Sequence, residues 1–214
     1  MNVELIPGGP FDSNIFLVSH GGTRVLIDAG TGLGKDRVLK RLEELLDGGG
    51  LDAIILTHEH FDHSGGASHL SEHFGAPVFA SPECARALRE ADPDLTGCFM
   101  FGTNMDPMMD ITEIGDELAI GDLSFEVHST PGHSPGLISL ITHEGRSLFC
   151  GDLVFCDGGV GRWDLPGGNL KQLRESVRKA LEWDYLSLYP GHGRVETRNP
   201  RREVELALAI LGDA

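Results

Sequence analysis

Apolar residues fall along the chain in two rhythms: short runs bounded by glycine, and longer stretches with three- and four-residue spacing. Val3 to Pro7, Ser13 to Ser19 and Arg24 to Asp28 are short, β-branched segments between Gly-rich turns, which predicts an antiparallel meander at the start. From Lys35 to Leu46 the residues Val38, Leu39, Leu42, Leu45 and Leu46 keep helical spacing, and the glycines after Asp47 predict where the helix stops. Leu51 to Leu56 reads as a strand buried on both faces, and it runs straight into Thr57-His58-Glu59-His60. A helix over Ser64 to Phe74, a strand over Val78 to Ala80 and a helix over Pro82 to Ala91 follow. The last has Ser81 as N-cap and proline at its first position.

Periodicity lapses between Pro93 and Gly115, where Met100, Met105, Met108 and Met109 stand out among the apolar residues. A long loop is predicted there, either walling a binding site or covering the core. The second block repeats the style of the first. Strands are predicted at Leu123 to His128, Leu137 to Thr142, Ser147 to Cys150 and Leu186 to Tyr189, with helices over Leu170 to Leu181 and Arg201 to Leu211. Two such blocks suit an α/β domain of two facing sheets with helices on their outer sides. For 214 residues, one domain spanning 1–214 is expected, without an appended module.

Composition narrows the partners. A net charge of −16 argues against nucleic acid or an anionic membrane, since either is met by clustered Lys and Arg. The first residues lack the basic start and apolar run of a secretory signal, and no stretch approaches the ~20 apolar residues of a membrane span, so a cytoplasmic protein is expected. Cys84, Cys98, Cys150 and Cys156 form no CxxC pair and read as reduced thiols.

The chemistry concentrates in His58-Glu59-His60-Phe61-Asp62-His63, at the C-terminal end of the strand over Leu51 to Leu56. Residues two apart in extended structure point to one side, so His58 and His60 can chelate one ion while the following turn carries Asp62 and His63 toward a second. Nitrogen and carboxylate oxygen without thiolate suit zinc, and also iron or manganese. Three later residues are placed to complete the half-sites. His133 lies in the turn Thr130-Pro131-Gly132-His133-Ser134-Pro135-Gly136, Asp152 follows Leu148-Phe149-Cys150-Gly151, and His192 follows Leu188-Tyr189-Pro190-Gly191.

The segments THEHFDHSGG, TPGHSPG, GDLVF and PGHG, in this order and nearly end to end, resemble the signature set of the metallo-β-lactamase superfamily. The resemblance implies an αβ/βα four-layer sandwich with the site at one edge. It implies one metal ion held by His58, His60 and His133, a second held by Asp62, His63 and His192, and Asp152 bridging both, with a water or hydroxide between them. Asp62 and Asp152 are on this basis the catalytic carboxylates. Two divalent ions, zinc ahead of iron or manganese, would lower the pKa of water and polarise the carbonyl it attacks, so no nucleophilic side chain is needed. Asp28 matches a family position beneath the site, where it would orient a ligand histidine; local chemistry equally suits a cap of the turn before Gly30. His20, His69, His73, His128 and His143 match no ligand position.

Asp152 stands where several β-lactam-cleaving members carry Cys, and no segment is long enough for the inserted domain of the superfamily's nucleases. The run from Gly158 to Gly168, GGVGRWDLPGG, resembles the substrate-side segment of short glyoxalase II-like proteins. That implies a thioesterase acting on S-acylglutathione-type thioesters. Arg162 is then placed to pair with a substrate carboxylate bidentately, the alternative being a salt bridge with Asp164. Full-length glyoxalase II completes its glutathione site with a C-terminal helical domain and has an aromatic hydroxyl where Asp164 stands. Only about twenty residues follow His192 here, one helix's worth, which leaves the thiol open. The rival reading is a mononuclear-iron persulfide dioxygenase, which shares most of these motifs, uses the positions of His58, His133 and Asp152, and usually has Thr-Asp-Phe in place of Trp163-Asp164-Leu165. The expected partner is a small-molecule acyl thioester, and the expected assembly a monomer or small homo-oligomer.

Overall fold

Side chains alternate across a strand, and that alternation decides which layer of the molecule each residue joins. The computed structural model describes residues 1–6 and 11–212; Pro7, the last residue of the first expected strand, lies outside them. The first block comprises β1 (Asn2–Ile6), β2 (Ile15–His20), β3 (Thr23–Ile27), α1 (Lys35–Leu46), β4 (Ala53–Ile55), α2 (Phe61–Ser64), α3 (Ala67–Phe74), β5 (Val78–Ala80), α4 (Pro82–Glu90), α5 (Pro93–Thr96) and β6 (Ile111–Glu113). The second comprises β7 (Glu117–Ile120), β8 (Leu123–Ser129), β9 (Ile138–Thr142), β10 (Ser147–Gly151), α6 (Leu170–Lys179), β11 (Ser187–Pro190) and α7 (Pro200–Ile210).

Strands β1 to β6 form one sheet in sequential order, antiparallel from β1 to β3 and parallel from β3 to β6. The other sheet runs β11-β10-β9-β8-β7, with only β10 and β11 parallel. Val25 and Ile27 of β3 point between the sheets, where they meet Leu123, Phe125, Leu140 and Phe149. Leu26 between them points outward, into a layer with Val38, Leu42, Leu46 and Leu70 from the helices. On β10 the same alternation sends Phe149 inward and Leu148 and Cys150 outward, against Leu173, Val177, Val204 and Ala207 of α6 and α7. The result is the expected αβ/βα sandwich of four layers. No helix among the described residues is long and apolar enough to cross a membrane.

Three elements differ from the expectation. The helix predicted from Ser64 is two helices, α2 and α3, with Gly65 and Gly66 between them. These glycines press directly on the turn after β3, and a Cβ on Gly66 would lie 2.2 Å from the Ala29 carbonyl oxygen. The predicted loop from Pro93 to Gly115 contains α5, a 3-10 turn over Cys98–Phe101 and β6, which pairs with β5. Each is too short to show a period, although Asp92 caps α5 by accepting from the Asp94 and Leu95 amides. The third is β7, a half-exposed edge strand of four residues, of which only Leu118 and Ile120 pack on the core between the sheets. The methionines of this stretch divide between both expected roles: Met108 is buried in the core and Met105 packs on it, while Met100 lines the site cavity.

Phe149 is fully buried between the sheets, edge-on to Phe16 at 5.5 Å between centroids and stacked on Tyr189 at 4.7 Å. Phe149→Ala is expected to destabilise the fold by about 3–5 kcal/mol, read as a shift of the urea unfolding midpoint at unchanged slope.

Candidate metal centre

Four chain segments end at one edge of the sandwich, and each delivers donors there. β4 leads through Leu56 and Thr57 to His58; His60 caps α2, whose first turn carries Asp62 and His63. The turn after β8 carries His133. β10 ends at Gly151 with a φ of 49°, turning the chain to present Asp152, and the parallel strand β11 ends beside it, followed by His192. The Gly191 amide donates to the Gly151 carbonyl at 2.7 Å, and the Asn14 side-chain amide donates to the carbonyls of Pro190 and Gly193 at 2.9 Å each. Those bonds hold the two strand ends in register.

All seven donor residues expected from the sequence come together. His58, His60 and His133 form one group whose donor atoms lie within 4.8 Å of one another; Asp62, His63 and His192 form a second; and His58, His63 and Asp152 form a third between them. Asp152 faces both sides, with Oδ1 3.3 Å from His63 Nε2 and Oδ2 3.4 Å from His133 Nε2 and 3.6 Å from His192 Nε2. Nitrogens crowd as closely: His58 Nε2 lies 3.2 Å from His60 Nδ1, and His63 Nε2 lies 3.3 Å from His192 Nε2.

The outward-facing nitrogens fix which atom of each ring carries a proton. His133 Nδ1 lies 2.7 Å from the Arg162 carbonyl oxygen, which can only accept, so His133 Nε2 is left with a lone pair pointing inward. His63 Nδ1 lies 2.8 Å from Asp28 Oδ2 in the same manner. Thr57 Oγ1 donates to Asp28 Oδ2 at 2.9 Å and is thereby an acceptor toward His58 Nδ1 at 3.1 Å. Asp28 also accepts from the Thr57 amide at 2.8 Å and has a φ of 61°. Of its two sequence readings, the carboxylate's partners are those of a residue that orients a histidine, while its backbone alone makes the turn.

Burial and neighbouring charges act in opposite directions across the cluster. Burial, with the other histidines adding, pushes His58 well below the ordinary imidazole range and His60 down to about 3; burial also lowers His133. These three are neutral donors. For His63 burial opposes protonation, yet the carboxylates of Asp152, Asp28 and Asp62 outweigh it and raise the pKa. Burial raises Asp152, but the charge of His63, with that of His192 adding, prevails and holds its carboxyl low. His133 Nε2 and Asp152 Oδ1 are buried and make no hydrogen bond. Inward lone pairs, buried acceptors without donors and three converging groups fit two divalent cations, which when bound would supply the missing positive charge.

Two glycines are required for the approach. A Cβ on Gly191 would lie 2.2 Å from Asp152 Oδ1, and one on Gly161 would lie 2.2 Å from the Asp152 carbonyl oxygen and 2.6 Å from His133 Nδ1. Glu59, to which the sequence assigned no role, is fully buried with Oε1 accepting from the Gly136 amide at 3.2 Å, and burial pushes its carboxyl up to about 7. It ties the segment carrying His58 and His60 to the turn carrying His133. Its place inside the histidine motif was the one available signal.

Above the donors is a cavity of about 260 Å³, with His60, Asp62, His133, Asp152 and His192 on its floor and Met100, Phe101, Phe155, Val160 and Leu165 in its walls. Arg162 also lines it, and of the two readings of this residue the structure shows the salt bridge. Its Nε and Nη2 donate to Asp164 Oδ1 and Oδ2, each at 2.9 Å. Cys156 is outside the cavity, its thiol donating to the Arg194 carbonyl.

The chain is similar to known proteins over most of its length. The family model described as "Metallo-beta-lactamase superfamily" matches residues 8–192. Hydroxyacylglutathione hydrolase GloC of Haemophilus influenzae is 35% identical over 204 residues, covering 92% of this chain and 93% of its own length. The crystal structure of the BLEG-1 B3 metallo-beta-lactamase superposes with a TM-score of 0.78 at 29% identity, covering 98% of this chain and 96% of that one. TTHA1623 in a di-iron-bound form gives 0.77 at 33% identity, covering 97% of both chains. ETHE1 from Myxococcus xanthus gives 0.71 at 25% identity, covering 100% of this chain and 91% of that one.

Removing the partner that orients a ligand histidine costs about 10–100-fold in metal affinity. Asp28→Ala is expected to weaken metal binding by that factor, measured by competition with a chromophoric chelator. An affinity equal to wild type would show that His63 is oriented by something else.

Proposed function

The chain belongs to the metallo-β-lactamase superfamily, and on that premise we propose that it is a metal-dependent thioesterase hydrolysing thioesters of the S-acylglutathione type. The observation that carries this reading is the second donor group, Asp62, His63 and His192, assembled beside the first and joined to it through Asp152. In this reading His58, His60 and His133 hold one ion, Asp62, His63 and His192 the other, and Asp152 lies between them. Zinc is the first choice, with iron or manganese accepted by the same donors. When bound, the ions lower the pKa of water toward neutrality and polarise the acyl carbonyl.

The chain's own residues do the rest. Asp62 and Asp152 are the carboxylates on the cavity floor, acceptors that orient the attacking water and receive its proton. The water oxygen bonds to the acyl carbon and the carbon–sulfur bond breaks. A thiol of pKa near 8.5 leaves as its thiolate, so no general acid is required, and no Tyr or Lys is among the described residues lining the cavity. Met100, Phe101, Phe155, Val160 and Leu165 keep bulk water from the reacting carbonyl. We place the protein in the cytoplasm, in keeping with its four free cysteines, as one domain over residues 1–214 and as a monomer or small homo-oligomer. Its partner is a small-molecule thioester, with neither nucleic acid nor membrane involved.

The likeness to ETHE1 keeps the persulfide dioxygenase reading as the rival, with a single iron at His58, His133 and Asp152. Elemental analysis of protein purified without tag or chelator separates the two. About two ions per chain, with hydrolysis of S-lactoylglutathione, is the expected outcome; one iron per chain, with oxygen uptake on glutathione persulfide and no thioester hydrolysis, would overturn the proposal. Since losing even the outer partner of a ligand costs 10–100-fold, Asp152→Ala is expected to lower thioester kcat/KM by more than about 100-fold.

A further inference from the structure

The cavity over the donors is smaller than the roughly 300–1,000 Å³ of sites that enclose a drug-sized ligand, at about 260 Å³. It has room for a short acyl group and the sulfur, and leaves the rest of the thiol carrier at the mouth. The walls there are apolar. Arg162 is the sole lysine or arginine among the described residues that line the cavity. A carrier carboxylate at the mouth therefore has one cation to pair with.

That cation is engaged already. The fork of Arg162 meets both oxygens of Asp164 at 2.9 Å, the same bidentate geometry a substrate carboxylate would use. Both side chains are exposed, 65% and 62%, so the pair is open to competition from solution rather than locked in the core. The backbone of Arg162 is fixed independently, since its carbonyl accepts the proton of His133 Nδ1. The guanidinium is thus free to exchange partners without disturbing the donor cluster.

We infer that Asp164 is a specificity-determining residue: as an internal carboxylate held by Arg162, it competes with the carboxylates of a glutathione-type carrier for the cation at the mouth and so limits how strongly such carriers are preferred over uncharged ones. The inference rests on the thioesterase reading for its reaction and concerns how the mouth discriminates between carriers. It also makes Asp164 a competitor built into the chain, whose strength is that of an exposed ion pair.

The test compares S-acetylglutathione with S-acetyl-N-acetylcysteamine, the same acyl group on a charged and an uncharged carrier, in the metal-loaded wild type, Asp164→Asn, Arg162→Gln and the double variant. Competition with an exposed ion pair is expected to change selectivity by about 1.4- to 5-fold. Asp164→Asn is expected to raise the ratio of glutathione to cysteamine kcat/KM by up to about fivefold, through KM, with the gain shrinking at high salt and vanishing in the double variant. An unchanged ratio in Asp164→Asn would overturn the inference. Binding of S-methylglutathione, which has no thioester to cleave, is followed in parallel by fluorescence of Trp163 and Trp183. Tighter binding by Asp164→Asn than by wild type is expected, and equal binding refutes the inference. If the wild type cleaves neither thioester, the thioesterase reading fails by itself, while this binding comparison still decides the role of Asp164.

Discussion

The structure is organised around a repulsion that it does not relieve by itself. Seven residues bring nitrogen and oxygen donors within 3.1 to 3.4 Å of one another: His58 toward His60, His63 toward His192 and Asp152, His133 toward Asp152, and Asp62 toward His192. Neutral imidazole lone pairs aimed at each other in a buried site are unfavourable unless a cation lies between them. The fold tolerates the crowding because the atoms behind the donors are fixed: each strand end is bonded into a sheet, and the rear nitrogens of His58, His63 and His133 are all engaged. The sandwich acts as a frame that holds electron pairs together until positive charge arrives.

The layering of that frame was legible wherever a residue's environment is decided by its own strand or helix. Val25, Leu26 and Ile27 alternate between two cores, and Val38, Leu42 and Leu46 lie on one helix face; such periods are long enough to read. α1 and β5 consequently have the bounds expected of them. Short elements whose form depends on distant contacts were not legible. β6 exists because β5 offers it a parallel edge, and α2 and α3 are divided by contact with the turn at Ala29 to Thr31. The pairing of β6 leaves no mark in the local sequence, and the Gly65-Gly66 pair marks a break without showing the turn it packs against.

For the candidate site the division is similar. Donor types and their spacing identified seven residues, because a chelating cluster needs particular side chains and cannot disguise them. What surrounds the donors was less visible. Glu59 looks like one more polar residue in the motif until its burial and its bond to Gly136 are known. Gly161 and Gly191 read as ordinary turn glycines, whereas their importance is the space a Cβ would take from Asp152. Arg162 had two partners open to it in the sequence, and only the placement of Asp164 chooses between them.

The bond from His133 to Arg162 separates two demands made on one residue. The histidine uses the carbonyl oxygen, which every amino acid possesses, while the cavity mouth sees the side chain, which differs from one amino acid to the next. Position 162 can therefore change its chemistry in the course of evolution and leave the donor beneath it undisturbed. A lineage can explore new substrates at this position while keeping the same reactive centre.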